Sequence, residues 1–306
     1  MKKEILKIKH DVRKGLLRLF YLNNKKKIIY RLSTTRDYHV EISTVSKCFH
    51  MCTYCPQETL IGAYSGEKVL KIENYKKMLS NFSKNIDLTV HFSGFVEPTM
   101  NPKIVDILLE TKKYFKVWIN TTLNFLRKKD FQKFIEIDFE NINLHLPDNQ
   151  GHMKCRINDD YIEILDRITS KKKLTTCNVF GEGIHNDLNS LTSKLDIGYI
   201  SIKENDAVIS TRANNVEDDS FKKQNTISGP IYCTHQRLQQ NVVTPNGDMY
   251  LCCMDYGLKH KIGNLLESNY LDIVSIKNKN LSDIVNKMSS ENDDIICRQC
   301  SWAGRL

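Results

Sequence analysis

Lys47-Cys48-Phe49-His50-Met51-Cys52-Thr53-Tyr54-Cys55-Pro56 sets three thiols at a C-x3-C-x2-C spacing. That spacing offers three thiolates to a four-iron cluster and leaves the fourth iron without a cysteine, and ligand number decides what kind of cluster a chain holds. An iron with an open position can bind and reduce a substrate or cofactor, whereas a fully ligated one carries electrons or structure, as with catalytic and structural zinc. A zinc site using His50 as fourth ligand is the other reading of this stretch. His50 lies within a tight loop beside Cys48 and Cys52, where reaching the same metal is awkward, and zinc sites usually come as paired C-x2-C knuckles.

The rest of the chain bounds the setting. At 306 residues it suits one large α/β domain, or a large domain with a small one attached. An apolar fraction of 41% and a charged fraction of 26% are ordinary for a soluble globular protein and do not indicate disorder. No stretch of about eighteen apolar residues occurs, so no membrane span is expected. The basic N-terminus lacks an uninterrupted apolar core and a small-residue cleavage site, and does not read as a secretory signal. Ten cysteines without an export signal point to metal binding in a reducing, cytoplasmic compartment rather than to a disulfide framework. The net charge of +9 gathers in the first thirty-odd residues and at Lys171-Lys172-Lys173. With no basic stripe interleaved with aromatics, it reads as a solvated lysine-rich surface, and no nucleic-acid partner is expected.

From about residue 36 strands and helices alternate. Tyr38 to Ser43 reads as a strand leading into the cysteine loop, followed by strands at Leu88 to Phe92, Phe115 to Asn120, Asn141 to Leu146, Leu174 to Phe180 and Ile197 to Ile202. Short apolar strands separated by helices of ten or more residues predict βα units and a parallel sheet, which right-handed crossovers curl into a barrel or part of one. The expected fold class is α/β, a partial (β/α)6 TIM-like barrel with a small C-terminal metal-stapled domain. The expected division is a basic helical extension over 1–35, with its apolar stripe Leu16, Leu17, Leu19 and Phe20, the barrel over 36–212, and the small domain over 213–306.

Five of the remaining cysteines fall in that last segment: Cys233, Cys252, Cys253, Cys297 and Cys300. Asn246-Gly247 is a hairpin turn signal, so Val242-Val243 should pair with Met249-Tyr250-Leu251 and present Cys252. Five thiols exceed the four positions of a structural zinc or an iron–sulfur cluster. Adjacent side chains of an extended segment point to opposite faces, so one of Cys252 and Cys253 can ligate while the other faces elsewhere. Cys252 is the expected ligand, and Cys155 and Cys177 read as core residues.

The two cysteine groups resemble those of the radical S-adenosylmethionine (SAM) superfamily with a C-terminal SPASM or twitch-type auxiliary cluster domain, over roughly residues 36–306. That superfamily carries C-x3-C-x2-C after its first barrel strand. The resemblance implies that Cys48, Cys52 and Cys55 hold one [4Fe–4S] cluster with S-adenosylmethionine as cofactor, and that Cys233, Cys252, Cys297 and Cys300 hold a second [4Fe–4S] cluster. Tyr54 stands where the family places an aromatic near the adenine. Phe92-Ser93-Gly94-Phe95-Val96-Glu97-Pro98 resembles the family's glycine-and-glutamate segment, with Gly94 permitting close backbone approach, Glu97 accepting from the cofactor's ammonium, and Ser93 and Val96 where glycines are usual. Asn120, Thr122 and His145 close strands at the end where parallel barrels keep their active sites, and would meet the ribose or the methionine carboxylate. Arg212, in Ser210-Thr211-Arg212-Ala213-Asn214, would contact substrate, and Cys253 would be a hydrogen-atom donor as in the family's epimerases. The activity implied is hydrogen abstraction from an unactivated carbon by a 5′-deoxyadenosyl radical, giving epimerisation or two-electron dehydrogenation of a sugar- or aminocyclitol-type substrate. A flavodoxin- or ferredoxin-type protein would donate the electron. Modification of a ribosomal peptide is the alternative within the family, and no extra domain for a leader peptide is evident. From another class, the competing reading is a non-catalytic metal-binding interaction protein.

Overall fold

The computed structural model describes residues 24–170, 175–202, 211–216, 223–291 and 293–306. The expected N-terminal stripe at 16–20, the lysine run at 171–173, Leu174 and Ser210 lie outside these residues. Residues 24–32 form a helix.

Six parallel strands follow in the expected places: β1 (Tyr38–Ile42), β2 (Leu88–Phe92), β3 (Lys116–Thr121), β4 (Asn141–Leu146), β5 (Thr176–Phe180) and β6 (Ile197–Ile200). They pair in chain order, each parallel to its neighbour. The helices between them are α1 (Gln57–Ala63), α2 (Ile72–Ser80), α3 (Ile104–Lys112), α4 (Lys128–Glu136) and α5 (Asp159–Ser170). Their buried residues recur three and four apart, as Tyr161, Ile164, Leu165 and Ile168 do on α5, which is the stripe that docks a helix on a sheet.

The two faces of the sheet differ in chemistry. Val90, Ile119, Ile142, Leu144 and Val179 are buried in the main core, while the alternate residues Glu41, His91, Asn120 and His145 border a cavity on the other face. Parallel strands are ordinarily apolar on both faces; these are not, because their inner face surrounds a cavity rather than a packed core.

The sheet does not close on itself. Beyond β1 it continues through β8 (Gln240–Val243), β9 (Asp248–Tyr250) and β10 (Lys261–Asn264), nine strands among the described residues. β8 and β9 form the expected hairpin, with Val242 opposite Tyr250 and Val243 opposite Met249. The turn places Gly247 at φ +85, a conformation glycine adopts without strain. What the sequence did not signal is that β8 lies parallel against β1, with Glu41 opposite Val242. This pairing sets the hairpin that precedes Cys252 and Cys253 beside the strand that leads into the front triplet. The C-terminal segment is completed by α6 (Tyr270–Ile273), α7 (Lys279–Ser289) and a two-stranded sheet of β7 (Ile231–Cys233) with β11 (Ala303–Arg305). Among the described residues no helix is long and apolar enough to cross a membrane.

Candidate active site and the paired cysteine centres

β1 ends at Ile42, and the chain enters the cysteine loop, whose backbone is held from several sides. Cys48 N–H donates to Gln57 Oε1 at 2.9 Å, Cys55 N–H to the Cys52 carbonyl at 2.9 Å, Thr53 N–H to the His152 carbonyl and Lys154 N–H to the His50 carbonyl. His50 is buried, with one ring nitrogen 2.9 Å from Thr122 Oγ1 and the other 3.1 Å from the Lys154 carbonyl. Both nitrogens are engaged by the protein, so His50 is not poised as a fourth metal ligand. The three thiols face a cavity of about 240 Å³ at the C-terminal ends of β1 to β4. Burial pushes the Cys48 thiol up to about 12.

Two residues that sequence reasoning did not single out touch Cys55. Gln57 Nε2 donates to Cys55 Sγ at 3.3 Å while also bonding the Phe95 carbonyl at 2.6 Å, and the Tyr256 hydroxyl lies 3.2 Å from the same sulfur. Hydrogen bonds to ligand sulfur are one of the means by which proteins set cluster potentials. Neither residue falls at a recognisable spacing from the triplet, so no sequence signal announced them.

The segment after β2 forms the cavity wall. Gly94 has φ +69, and a Cβ there would collide with Ser43 Oγ and approach Val242 Cγ1 at 2.9 Å, so only glycine fits. Glu97 is buried, and its carboxylate already accepts from Thr99 N–H at 3.0 Å, Thr99 Oγ1 at 2.5 Å, Thr121 Oγ1 at 2.6 Å, Thr122 N–H at 2.7 Å and Thr122 Oγ1 at 3.1 Å. An ammonium group brought to Glu97 must displace a threonine hydroxyl rather than fill an empty position. Through Thr122 and His50, Glu97 also braces the cysteine loop. Glu97→Gln, which turns an amide N–H2 toward these donors, is expected to cost about 2–3 kcal/mol, read as a lower urea midpoint at unchanged slope.

Asn120 closes β3 and joins a ladder across the inner face: its Nδ2 reaches Ser93 Oγ at 3.4 Å, and its Oδ1 accepts from Asn143 at 2.7 Å. The Tyr54 ring packs on Phe180 at 5.0 Å, and His145 meets the same ring edge-on at 5.1 Å. Burial drives the His145 imidazole down to about 4, so it is neutral at physiological pH. Arg212, Ala213 and Asn214 take φ of 50, 53 and 61 in succession. Three left-handed non-glycine residues in a row are costly. Asn215 Nδ2 holds the turn by bonding the Arg212 and Met254 carbonyls. Thus Cys48, Cys52, Cys55, Tyr54, Ser93, Gly94 and Glu97 from the front of the chain meet Asn120, Thr122, His145, Arg212 and Cys253 around one cavity.

The other four thiols lie elsewhere. Cys233, Cys252, Cys297 and Cys300 border a small apolar cavity with Ile296 and Trp302. Cys252 follows β9, and Cys253 opens a turn closed by Asp255 N–H on the Cys252 carbonyl. Burial raises the Cys252 and Cys297 thiols well above the ordinary range, and neighbouring thiols add to it. Thiols in so apolar a place stay protonated unless a metal centre supplies compensating positive charge. Among the described residues no three donors are gathered tightly enough for a single ion; ligands of a four-iron cube sit one per corner and stand farther apart. Arg298, between Cys297 and Cys300, is buried and donates to the carbonyls of Ile227, Gly229, Lys287, Ser290 and Asp293 at 2.8–3.0 Å. Cys177 lies in the main core, and Cys155 packs against it.

A family model described as the radical SAM superfamily matches residues 42–187. A second, described as an iron–sulfur cluster-binding domain (SPASM), matches residues 233–301. The chain belongs to the radical SAM superfamily. As a radical SAM protein of SPASM type it uses S-adenosylmethionine and two [4Fe–4S] clusters as cofactors. The donor sets fit: three thiols on the front cavity, where both His50 nitrogens are already engaged, and four thiols on the small apolar one. Among solved structures, BtrN in complex with AdoMet and 2-DOIA has TM-score 0.58 at 16% identity, covering 88% of this radical SAM chain and 94% of its own. Streptococcus suis SuiB bound to precursor peptide SuiA has TM-score 0.51 at 13% identity, covering 96% and 74%. Native anSMEcpe with bound AdoMet has TM-score 0.51 at 14% identity, covering 86% of each chain. At these identities the likeness concerns the fold alone. No curated protein sequence matches this one.

Proposed function

We propose that this radical SAM enzyme epimerises a carbon of a hydroxylated, sugar- or aminocyclitol-type small molecule, with Cys48, Cys52 and Cys55 holding the front cluster and Cys253 as hydrogen-atom donor. When bound, the front cluster and S-adenosylmethionine supply a carbon-centred radical that removes a hydrogen atom from the substrate. The observation that carries the reading is the divergence of two adjacent thiols. Cys253 borders the cavity of the front triplet, whereas Cys252 borders that of Cys233, Cys297 and Cys300.

The cavity wall suits hydroxyl groups. Glu41, His91, Arg212 and Arg237 border the cavity beside the residues expected to meet the cofactor, so a substrate there faces polar groups rather than an apolar slot. In the proposed return step the S–H bond of Cys253 breaks as a C–H bond forms on the face of the substrate opposite to abstraction. The sulfur radical left behind regains its thiol with one electron from an external flavodoxin- or ferredoxin-type reductant and one proton from solvent. Burial, with Glu41 adding to it and Arg237 and Arg212 opposing it, raises the Cys253 thiol to about 11, so the side chain carries its hydrogen at physiological pH.

A second reading, two-electron dehydrogenation, is favoured by the fact that Arg237 and Trp302 border both cavities, which would give a substrate electron a short route to the C-terminal cluster. The two separate in deuterium oxide. Reconstituted enzyme is incubated with a panel of hexose phosphates, nucleotide sugars and aminocyclitols. Epimerisation predicts one deuterium at an inverted carbon, and Cys253→Ala should keep 5′-deoxyadenosine formation while losing product by at least about a hundredfold. An oxidised product without deuterium, formed equally by the variant, would sink the epimerase reading.

A further inference from the structure

Outside the cysteines, one charged side chain stands between the two centres. Arg237 is fixed just before β8 by a backbone bridge to Thr34. Its Nη1 donates to Glu41 Oε1 at 3.0 Å and to Cys253 Sγ at 3.4 Å. Its guanidinium carbon lies 4.8 Å from the centroid of the Trp302 ring, within the range of a cation–π contact. The main-chain N–H of Trp302 in turn donates to Cys300 Sγ at 3.4 Å. On the other side, Glu41 Oε2 accepts from Gly94 N–H at 3.1 Å. A line of direct contacts therefore runs from the glycine turn of the front cavity, through an ion pair, to a thiol of the C-terminal group.

The ion pair is poorly hydrated: the Glu41 side chain is 7% exposed and that of Arg237 23%. Arg237 Nε is buried without a partner among the described residues. Burying such a pair costs several kcal/mol per ion and is weak evidence of stabilisation for its own sake. In compensation, a fixed charge in a low-dielectric site acts strongly on its neighbours. Reducing an iron–sulfur cluster adds one electron to it, and a positive neighbour stabilises the reduced form more than the oxidised one. Net charge and hydrogen bonds to sulfur are the levers by which proteins move cluster potentials.

We propose that Arg237, oriented by Glu41, is a positioning residue that raises the reduction potential of the C-terminal cluster and so couples it electrostatically to the Cys253 thiol in the front cavity. Glu41 has the opposite sign of effect, partly offsetting the guanidinium while holding it in place. The proposal rests on Cys233, Cys252, Cys297 and Cys300 being the ligands of that cluster, but not on the outcome of the reaction.

The test is a redox titration of substrate-free, anaerobically reconstituted full-length protein, followed by electron paramagnetic resonance, with iron content as the check on folding. Arg237→Met should shift the C-terminal cluster to a more negative potential, Arg237→Lys should stay nearer the parent protein, and Glu41→Gln should shift it positive. Opposite shifts from two residues in contact are not what general loosening of the fold produces. With about eight irons per chain retained, shifts of the same sign, or none in either variant, would overturn the proposal. If Arg237→Met loses iron, Glu41→Gln decides alone: a positive shift supports the coupling and an unchanged potential refutes it. Because no substrate is present, an oxidised product in the deuterium experiment leaves this result untouched, and an epimerised product does not rescue it.

Discussion

Changing Cys48, Cys52 and Cys55 together to alanine is expected to halve the iron of the reconstituted protein, from about eight to about four per chain, and to abolish reductive cleavage of S-adenosylmethionine. The thiols of the two centres border separate cavities, so losing one set should leave the other able to bind. The fold should survive, because the loop is held chiefly by bonds that do not involve sulfur: Cys48 N–H to Gln57, Lys154 N–H to the His50 carbonyl, and the His50–Thr122–Glu97 chain. Thermal unfolding of the apo variant should therefore resemble that of the apo parent. Iron and sulfide analysis with a 5′-deoxyadenosine assay checks the expectation. Eight irons with continued cleavage would remove the triplet from the active site; loss of all iron would show that the two centres are not independent.

The second large effect is expected at Arg298, which is not a ligand. Its guanidinium satisfies five main-chain carbonyls from two segments that the C-terminal cysteine turn must meet. Arg298→Met fills similar space but withdraws five hydrogen bonds from those carbonyls, of which that of Lys287 keeps the Ser290 hydroxyl, at a cost of about 4 kcal/mol. Lysine should rescue little, since one ammonium cannot reproduce a planar fork of five N–H groups. The C-terminal cluster, whose proposed ligands Cys297 and Cys300 flank this residue, should be lost first. Iron should fall toward about four per chain while S-adenosylmethionine cleavage at the front site persists. Denaturant unfolding, iron analysis and the cleavage assay together check this. A variant that keeps its iron and its unfolding midpoint would mean that the carbonyls find other donors.

Much of the architecture was legible because parallel βα units announce themselves locally. Short apolar strands separated by helical stretches placed all six barrel strands within two residues of their positions, and Asn246-Gly247 located the hairpin turn. The inner-face residues were legible for a related reason: polar side chains at strand ends, such as Asn120 and His145, stand out against apolar runs. Gln57, Tyr256, Arg237 and Glu41 were not legible. Tyr256, Arg237 and Glu41 reach the site through contacts distant in sequence, as between Cys55 and Tyr256 or Glu41 and Arg237, and such contacts leave no periodicity in the chain; Gln57 lies beside the triplet, but its second bond, to the Phe95 carbonyl, is what aims it. Arg298 was overlooked for the opposite reason. It sits inside a cysteine motif, where an arginine reads as an exposed spacer, and its burial depends on carbonyls that chain order does not bring together.

The C-x3-C-x2-C spacing is a property of the chain, three thiols held together by the few residues between them, whereas the C-terminal set, spread from Cys233 to Cys300, was legible only through its resemblance to a family. That is why the front triplet, with one iron left open, is readable from spacing alone. How the centres relate to each other is not such a property. It follows from β8 pairing in parallel with β1, a contact across two hundred residues chosen by the packing of the whole sheet. That pairing carries Cys253 and Arg237 to the mouth of the front cavity and leaves Cys252 on the other side. Two neighbouring thiols, indistinguishable in sequence, thereby acquire different surroundings.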